Sequence, residues 1–293
     1  MKLLNQTLFA GLLLSLAAPA AAQERFVPYD VVNGELSEGT QAPSVAQMEQ
    51  AILTASPTRL RATLEYGERV ECHRCVPLLQ AALFDSSDAG VREIAAWWLR
   101  RRPFGLGAII HSVRNVLATD ADAVRRARAA EALGIFRVPQ TVDALMTALD
   151  DPDAGVRTAV VNALGYMNTP AANPGIIRAF SDVDHNVREA AVAQVLLVNG
   201  FNGHEELMGL LADEDMYVRS RAASALGAFR TEAAVPALVS LLSDGNMRVR
   251  QQAAFALGRI GTAEARAALN EGRALEQDRL VLDAYDSALA VRR

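Results

Sequence analysis

The residues of this chain whose types and spacing suggest chemistry are two cysteines, Cys72 and Cys75, in the stretch VECHRCVPLL (70–79). They are the only cysteines in the sequence, and His73 lies between them. A C-x-x-C pair can attach haem, work as a redox dithiol, supply half of a zinc site or close into a disulfide. The choice depends on the cellular compartment and on the elements that position the pair.

Two of these chemistries fit the sequence poorly. Covalent haem attachment requires a histidine directly after the second cysteine, and here Val76 follows Cys75. Zinc is normally held by four ligands. The four histidines of the chain form no second close pair beside the cysteines; they are His73, His111, His185 and His204. We therefore expect no metal and no cofactor.

The two remaining chemistries both involve the thiols themselves. VPLL after Cys75 aligns with VPAL (235–238), which predicts that Cys75 lies at or just before a helix N-terminus. That position lowers the pKa of a thiol. In an oxidising compartment, however, two cysteines three residues apart are expected to close on each other. A disulfide between Cys72 and Cys75 is the favoured interpretation, and a redox-active pair is the alternative.

The N-terminus predicts an oxidising compartment. Residues 1–22 run from Lys2 through an apolar stretch to three alanines, which is typical of a secretory signal peptide cleaved after Ala22. No later segment approaches the roughly 18 apolar residues of a membrane span. We expect a periplasmic or secreted protein without a membrane span. Residues 23–43 are predicted to be extended or disordered.

The charge balance argues against one class of partner. The chain has 34 acidic and 29 basic residues, whereas a nucleic-acid-binding domain is usually strongly basic. We therefore expect no nucleic acid among its partners.

An internal repeat predicts the architecture. Five segments recur at an interval of 31 residues, four of them ending in Leu-Gly: VRRARAAEALG to Gly134, VRTAVVNALG to Gly165, VREAAVAQVL to Leu196, VRSRAASALG to Gly227 and VRQQAAFALG to Gly258. Each unit reads as two helices, and the "VR" segment is the second. Its apolar positions fall on one stripe. One hairpin cannot cover that stripe alone, so the units are expected to stack.

Local signals predict where the second helices begin and end. An aspartate stands three residues before the helix valine in four units, where its side chain can cap free N–H groups. These aspartates are Asp88, Asp153, Asp184 and Asp215. The Leu-Gly pair is predicted to end the helix, because glycine enters a left-handed cap at low cost. Degenerate capping units are expected at residues 44–67 and 262–293.

Aspartate and arginine recur six residues apart in four successive units. The members are Asp151 and Arg157, Asp182 and Arg188, Asp213 and Arg219, and Asp244 and Arg250. We interpret them as a structural ladder of ion pairs that locks repeat to repeat. Buried ion pairs fix geometry more surely than they add stability.

The repeated unit resembles the bacterial HEAT-like repeat of phycobilin lyases, with its D-x-x-x-x-V-R and A-L-G pattern. The resemblance implies an all-α, right-handed α–α superhelical solenoid over residues 44–293, with second helices lining the concave side. Such arrays usually serve as binding scaffolds. Deoxyhypusine hydroxylase, a similar HEAT-like enzyme, holds two irons with several His-Glu pairs, and here only His204-Glu205 matches. We therefore expect no catalytic centre.

If the second helices line the concave side, two columns of their residues face a partner. We take these columns at three and six residues after the helix valine, or after Arg125, which occupies the valine position in the unit that ends at Gly134. The candidate contacts are Trp97, Arg128, Glu131, Asn162, Arg221, Gln252 and Phe255. Tryptophan and arginine are enriched among binding hot spots.

The sequence thus predicts a monomeric, non-catalytic scaffold that binds a partner protein or peptide. It does not identify the partner. The alternatives are a periplasmic thiol-disulfide or metal-dependent protein that uses Cys72 and Cys75, and an assembly factor for exported redox proteins.

Overall fold

Sixteen α-helices and no strand form the part of the chain that the computed structural model describes, residues 42–102 and 105–290. In chain order they are α1 (Val45–Thr54), α2 (Pro57–Tyr66), α3 (Cys75–Asp85), α4 (Ala89–Arg100), α5 (Leu106–Thr119), α6 (Ala123–Phe136), α7 (Val142–Ala148), α8 (Ala154–Met167), α9 (Asn173–Ala179), α10 (His185–Gln194), α11 (His204–Gly209), α12 (Met216–Phe229), α13 (Val235–Leu241), α14 (Met247–Ile260), α15 (Ala263–Leu275) and α16 (Arg279–Ala290). The predicted signal peptide (1–22) and nearly all of the predicted extended segment (23–43) lie outside the described residues.

The helices form eight consecutive hairpins that stack along one row. Each even-numbered helix from α4 onward packs on the next even-numbered helix, and from α6 onward these contacts are more extensive than those between odd-numbered helices. The predicted all-α solenoid is confirmed. Helices α1 and α2 begin the described array, and α15 and α16 end it, at the positions where the degenerate units are predicted.

The helix starts follow the predicted capping chemistry. Asp88, Asp153, Asp184 and Asp215 are the N-cap residues of α4, α8, α10 and α12, and each side chain accepts a hydrogen bond from a backbone N–H in the first turn. These bonds satisfy donors that have no partner within the helix. Every second helix of these units therefore begins where the sequence predicts.

The prediction that Leu-Gly ends the second helix is wrong. Gly134, Gly165, Gly227 and Gly258 lie inside their helices, which continue for two further residues. The residue in the left-handed conformation is instead the C-cap that follows the helix: Arg137, Asn168, Arg230 or Gly261, with φ between 47° and 67°.

Close packing explains the glycines instead. A Cβ on Gly134 would lie 2.8 Å from the Cα of Ala163 on α8, and one on Gly227 would lie 2.6 Å from the Cα of Ala256 on α14. Real Cβ atoms are never so close to a neighbouring backbone, so the missing side chain lets successive even-numbered helices touch. The glycines therefore allow close packing between successive even-numbered helices.

One unit departs from this pattern. In the unit of α9 and α10, Leu196 stands where the other units have glycine, and α10 ends early at Gln194. Leu196 and Leu197 are each about half exposed, at 53% and 52%. This interruption leaves two apolar side chains uncovered shortly after the end of α10.

Candidate interaction surface

The seven predicted contact residues lie on the even-numbered helices. We call these residues, with the exposed side chains between them on α4 to α14, the even-helix face. Arg128, Glu131 and Asn162 line one groove of this face, and Arg221 and Gln252 line another. Trp97 and Phe255 lie outside the residues that line either groove. The structure thus distributes the predicted contacts over two grooves and two separate aromatic residues.

The first groove, which we call the N-terminal groove, runs over α4, α6 and α8. Its volume is about 530 Å³. Its apolar lining includes Leu83, Ile135 and Ala159, and Tyr166 at its rim is 54% exposed. A groove of this size, open to solvent and apolar between charged side chains, can accept a peptide segment.

Positive charge dominates the N-terminal groove. Four arginines line it, Arg92, Arg100, Arg128 and Arg137, against two glutamates. Both glutamates have arginine partners: Glu131 accepts from Arg92 at 3.3 and 3.4 Å, and Glu93 lies 3.7 Å from Arg61. The remaining arginines therefore determine the local field.

Two of those arginines are held in place by backbone carbonyls. Nη1 of Arg100 donates to the carbonyl oxygen of Ile135 at 2.9 Å, near the C-terminus of α6. Nη1 of Arg128 donates to the carbonyl oxygen of Phe84 at 2.6 Å, near the C-terminus of α3. Neither arginine has a carboxylate partner among the described residues, and the same is true of Arg137.

The second groove lies between α12 and α14. It is smaller, about 200 Å³, and its lining is polar. Arg221 is paired with Glu189 at 2.6 Å, and the guanidinium of Arg248 lies 5.5 Å from the ring centre of Tyr217. The predicted contact Arg221 is therefore already neutralised, unlike Arg100 and Arg128.

The two predicted aromatic contacts differ in exposure. Phe255 is 37% exposed on α14. Trp97 is half-buried on α4, and the guanidinium of Arg101 lies 4.5 Å from its ring centre. Part of the Trp97 surface is thus covered by the chain itself, and Phe255 exposes somewhat more than a third of its surface.

The ladder ion pairs do not join the aspartate and arginine that stand six residues apart in the sequence. Each arginine pairs with the aspartate of the following unit. Arg157 donates from Nη1 to the backbone carbonyl of Asp151, six residues earlier, at 2.9 Å. Its carboxylate partner is Asp182 of the next unit, 25 residues later. The same arrangement recurs in Arg188 with Asp213 and in Arg219 with Asp244. Each arginine thus ties one inter-helix turn to the next.

Two members of the ladder were missed in the sequence. Arg126 pairs with Asp151 at 2.7 Å, and Arg250 pairs with Glu276 at 2.7 Å. Alignment on the glycine places Arg126 in the same column as Arg157, which is the signal that could have found it. Glu276 lies 26 residues after Arg250 instead of 25, so a search for aspartate at a constant spacing passes over it.

The ladder carboxylates are held in the ionised form. Burial alone would raise the pKa of Asp182, but hydrogen bonds from Arg157 and from the backbone N–H of Asp184 outweigh it, and the pKa is lowered from its ordinary value. Asp151, Asp213 and Asp244 show the same direction for the same reasons. Hydrogen bonding to the charged form is a recognised cause of a low carboxyl pKa.

Cys72 and Cys75 are joined by a disulfide at the N-terminus of α3, with their Cα atoms 5.2 Å apart. The two residues are 3% and 0% exposed. The Sγ of Cys72 accepts a hydrogen bond from the backbone N–H of Cys75 at 3.1 Å. The pair therefore lies inside the array and away from solvent.

His204 belongs to an aromatic cluster. Its ring packs edge-on against Phe201 and Phe229, with ring centres 5.5 and 4.8 Å apart, and Nδ1 lies 3.5 Å from Oγ1 of Thr231. Across residues 42–102 and 105–290, no group of three or more His, Cys, Asp or Glu side chains is placed to hold a metal ion. No helix in the same ranges combines the length and apolarity that a membrane crossing requires.

Comparison with known proteins agrees with this architecture. The family profile described as HEAT repeats matches residues 110–196 and 205–290. Among curated protein sequences, none matches the chain significantly.

Of three similar solved structures, the first two have the same fold at low sequence identity. Escherichia coli YibA is 16% identical with a TM-score of 0.54, and the match covers 85% of this chain and 93% of YibA. Kap121p is 15% identical with a TM-score of 0.58, over 83% of this chain and 33% of Kap121p. The CpcE and CpcF complex of phycocyanin lyase from Nostoc sp. is 24% identical, with a TM-score of 0.41, over 73% of this chain and 94% of that chain.

Proposed function

This chain belongs to the HEAT-repeat family, and from that premise we propose that it is an exported, non-catalytic scaffold that binds a partner protein or peptide on its even-helix face. The observation that carries the proposal is the N-terminal groove, in which Arg100, Arg128 and Arg137 have no carboxylate partner among the described residues. Repeat arrays bind their partners on extended surfaces, and charged or apolar side chains without partners on such a surface are available for that contact.

We further propose that the even-helix face is the concave side. From α6 onward its helices contact one another more extensively than the odd-numbered helices do, and glycines such as Gly134 and Gly227 remove the side chains between them. A row of hairpins that is tighter on one side curves toward that side. Small residues at the centre, such as Ala193, keep the surface open.

The shifted carboxyl groups support a non-catalytic role. Among the described residues, every acidic side chain with a lowered pKa lies in an ion pair or a helix cap: Asp120, Asp151, Asp182, Asp184, Asp213, Asp244, Glu276 and Asp286. Perturbed pKa values also arise in structural ion-pair networks. These groups stabilise the array.

The rival function is thiol-disulfide exchange at Cys72 and Cys75, either alone or as part of an assembly factor for exported redox proteins. One observation favours it: the hydrogen bond from the Cys75 N–H to Cys72 Sγ would stabilise a thiolate at the start of α3. Burial of both residues works against it, because exchange requires a partner thiol to reach a sulfur atom.

Export is a separate part of the proposal and has a separate test. We expect the protein to be processed after Ala22, so that the mature chain begins at Gln23. Cell fractionation followed by intact-mass measurement of the recovered protein checks this. A full-length chain retained in the cytosol would contradict export without affecting the binding proposal.

The binding function is tested with one substitution on each side of the array. Ala193 is exposed on the even-helix face, and Ala237 is exposed on α13 of the opposite layer. The immobilised mature protein is used to recover partners from the exported fraction of the native cell, and these are identified by mass spectrometry. We expect Ala193→Arg to abolish recovery of the specific partner, and Ala237→Arg to leave it unchanged.

A second variant tests the predicted aromatic contacts. Trp97→Ala combined with Phe255→Ala should reduce recovery of the same partner. Equal recovery by wild type, Ala193→Arg and this double variant would remove the even-helix face as the binding surface.

A further inference from the structure

Resting on the proposed function, we infer that the N-terminal groove recognises an acidic, extended segment of the partner through carboxylates that pair with Arg100, Arg128 and Arg137. The charge, the spacing and the apolar lining of this groove indicate the chemistry of the segment that it binds.

Charge is the first argument. The two glutamates of the groove are already matched with Arg92 and Arg61, so their negative charge is compensated. The other three arginines have no carboxylate partner among the described residues, although the chain as a whole carries a formal charge of −5. A concentrated positive field on an acidic protein favours a ligand with carboxylates, since guanidinium groups pair with them in a forked geometry.

Anchoring is the second argument. The carbonyls of Ile135 and Phe84 each accept from the Nη1 of one arginine, which fixes the guanidinium without neutralising it. The Nη2 groups of Arg100 and Arg128 make no hydrogen bond to a described residue and remain available as donors. A ligand carboxylate would therefore meet preorganised donors, and less side-chain entropy would be lost on binding.

Spacing is the third argument. The anchor of Arg100, Ile135, lies seven residues beyond Arg128 on α6, which is about 10 Å along a helix axis. An extended peptide advances about 3.3 Å per residue, so two carboxylates three residues apart span the same distance. A segment with acids three residues apart therefore spans the distance between the Arg128 backbone and the Ile135 carbonyl on α6, and the probe peptide carries this E-x-x-E pattern.

The apolar lining is the fourth argument. Ile135, whose carbonyl holds Arg100, also lines the groove with its apolar side chain, and Tyr166 of the next unit is about half exposed along the same lining. Leu197 occupies the same column one unit further and is half exposed. Apolar residues between the ligand acids can pack on this strip, so the segment should be both acidic and apolar.

The inference is tested with synthetic peptides and the mature protein. The probe is fluorescein-labelled GSEVLEGS, and its binding is followed by fluorescence anisotropy at 50 and 200 mM NaCl. The matched control is GSQVLQGS. A ten-nucleotide thymidine oligomer tests a nucleic-acid ligand. We expect the acidic peptide to bind at least tenfold more tightly than the glutamine peptide and to weaken at the higher salt concentration.

Matched variants locate the site. Arg100→Gln and Arg128→Gln should each weaken acidic-peptide binding at least fivefold, and together they should abolish it. Arg259→Gln, an exposed arginine of α14, should bind like wild type. Circular dichroism melting verifies that the groove variants remain folded.

Several outcomes would overturn the inference. These are equal binding of the acidic and glutamine peptides, absent binding of the acidic peptide, tighter binding of the oligonucleotide, or wild-type affinity in the folded double variant. Partner recovery distinguishes this from failure of the proposed function. A partner lost with Ala193→Arg but retained in the double arginine variant would leave the scaffold function standing and remove the acidic-segment inference.

Discussion

Arg157 donates from Nε and Nη2 to the two carboxylate oxygens of Asp182 in the next unit, at 2.7 and 2.8 Å, and from Nη1 to the backbone carbonyl of Asp151 at 2.9 Å. One side chain thus joins two successive inter-helix turns. Asp182 also accepts from the backbone N–H of Asp184, so both partners of the pair have their hydrogen bonds satisfied. This pairing links the stability of one repeat to the geometry of the next.

The first prediction concerns this ion pair. Asp182→Asn should lower the free energy of unfolding by about 3 kcal/mol, because it leaves a nearly buried guanidinium without its charged partner. Urea unfolding followed by circular dichroism at pH 7 measures the change.

The chain offers a matched control for that variant. Asp150 pairs with Arg178 in an exposed position, where the side chains are 69% and 47% accessible. Because solvent screens such pairs, Asp150→Asn should cost no more than about 1 kcal/mol. Equal losses in the two variants would show that the ladder has no special role.

The second prediction is a dependence of stability on pH. The ladder carboxyls have a lower pKa in the folded chain than the unperturbed value of about 3.9. The stability that they contribute is therefore fully present above that value and is lost as the pH falls through the folded pKa. The difference between wild type and Asp182→Asn should shrink in urea titrations as the pH is lowered from 7 to 3. A difference that stays constant over this range would refute the linkage.

The periodic part of the fold could be predicted from the sequence, and the register of its contacts could not. The 31-residue interval and the capping aspartates determine the hairpins and the helix starts. The partner of Arg157 could not be read from spacing, because a side chain can reach the preceding carbonyl and the following carboxylate at once. The distance between stacked units decides that Arg157 pairs with the carboxylate of Asp182 and binds only the backbone carbonyl of Asp151.

The misassigned glycine also hid part of the candidate site. Treating Gly165 as the end of α8 excluded Tyr166 from the exposed columns, although it lies on the N-terminal groove. The same applies to Ile135 after Gly134. Continuing the column past the glycine would have identified both residues. Arg100 and Arg128 bind backbone carbonyls of other helices instead of carboxylates. No pattern in the sequence indicates such contacts.

The third prediction tests the glycine contacts between even-numbered helices. Gly227→Ala should destabilise the protein by about 2 kcal/mol, because its Cβ would lie 2.6 Å from the Cα of Ala256 and the helices would have to separate. Gly209→Ala is the control, since nothing lies within 4 Å of its Cβ and the residue is helical. It should be neutral or stabilise by up to about 1 kcal/mol. Thermal melting of both variants measures the contrast, and a loss of stability in the control alone would reverse the interpretation.

The fourth prediction concerns the helix C-caps. Arg230 ends α12 in the left-handed conformation with φ of 55°, whereas the equivalent residue after α14 is Gly261. Arg230→Gly should stabilise the chain by about 0.5–1 kcal/mol, because glycine adopts this conformation without strain. Arg259→Gly, inside α14, should instead cost about 1 kcal/mol. A loss of stability in both variants would indicate that the Arg230 side chain makes a contribution larger than its backbone strain.

The fifth prediction separates the scaffold from the redox alternative. Because Cys72 and Cys75 are joined in a disulfide, the native protein should show no titratable thiol. Because the two residues are 3% and 0% exposed, the disulfide should react with millimolar dithiothreitol far more slowly in the native protein than in the unfolded chain. Cys72→Ala combined with Cys75→Ala should cost less than the roughly 3 kcal/mol expected for a 15-residue loop, because the closed loop is short. Partner recovery should be unchanged in this variant. Rapid reduction of the native disulfide, or loss of the partner when both thiols are removed while the fold survives, would instead place Cys72 and Cys75 at the centre of the function.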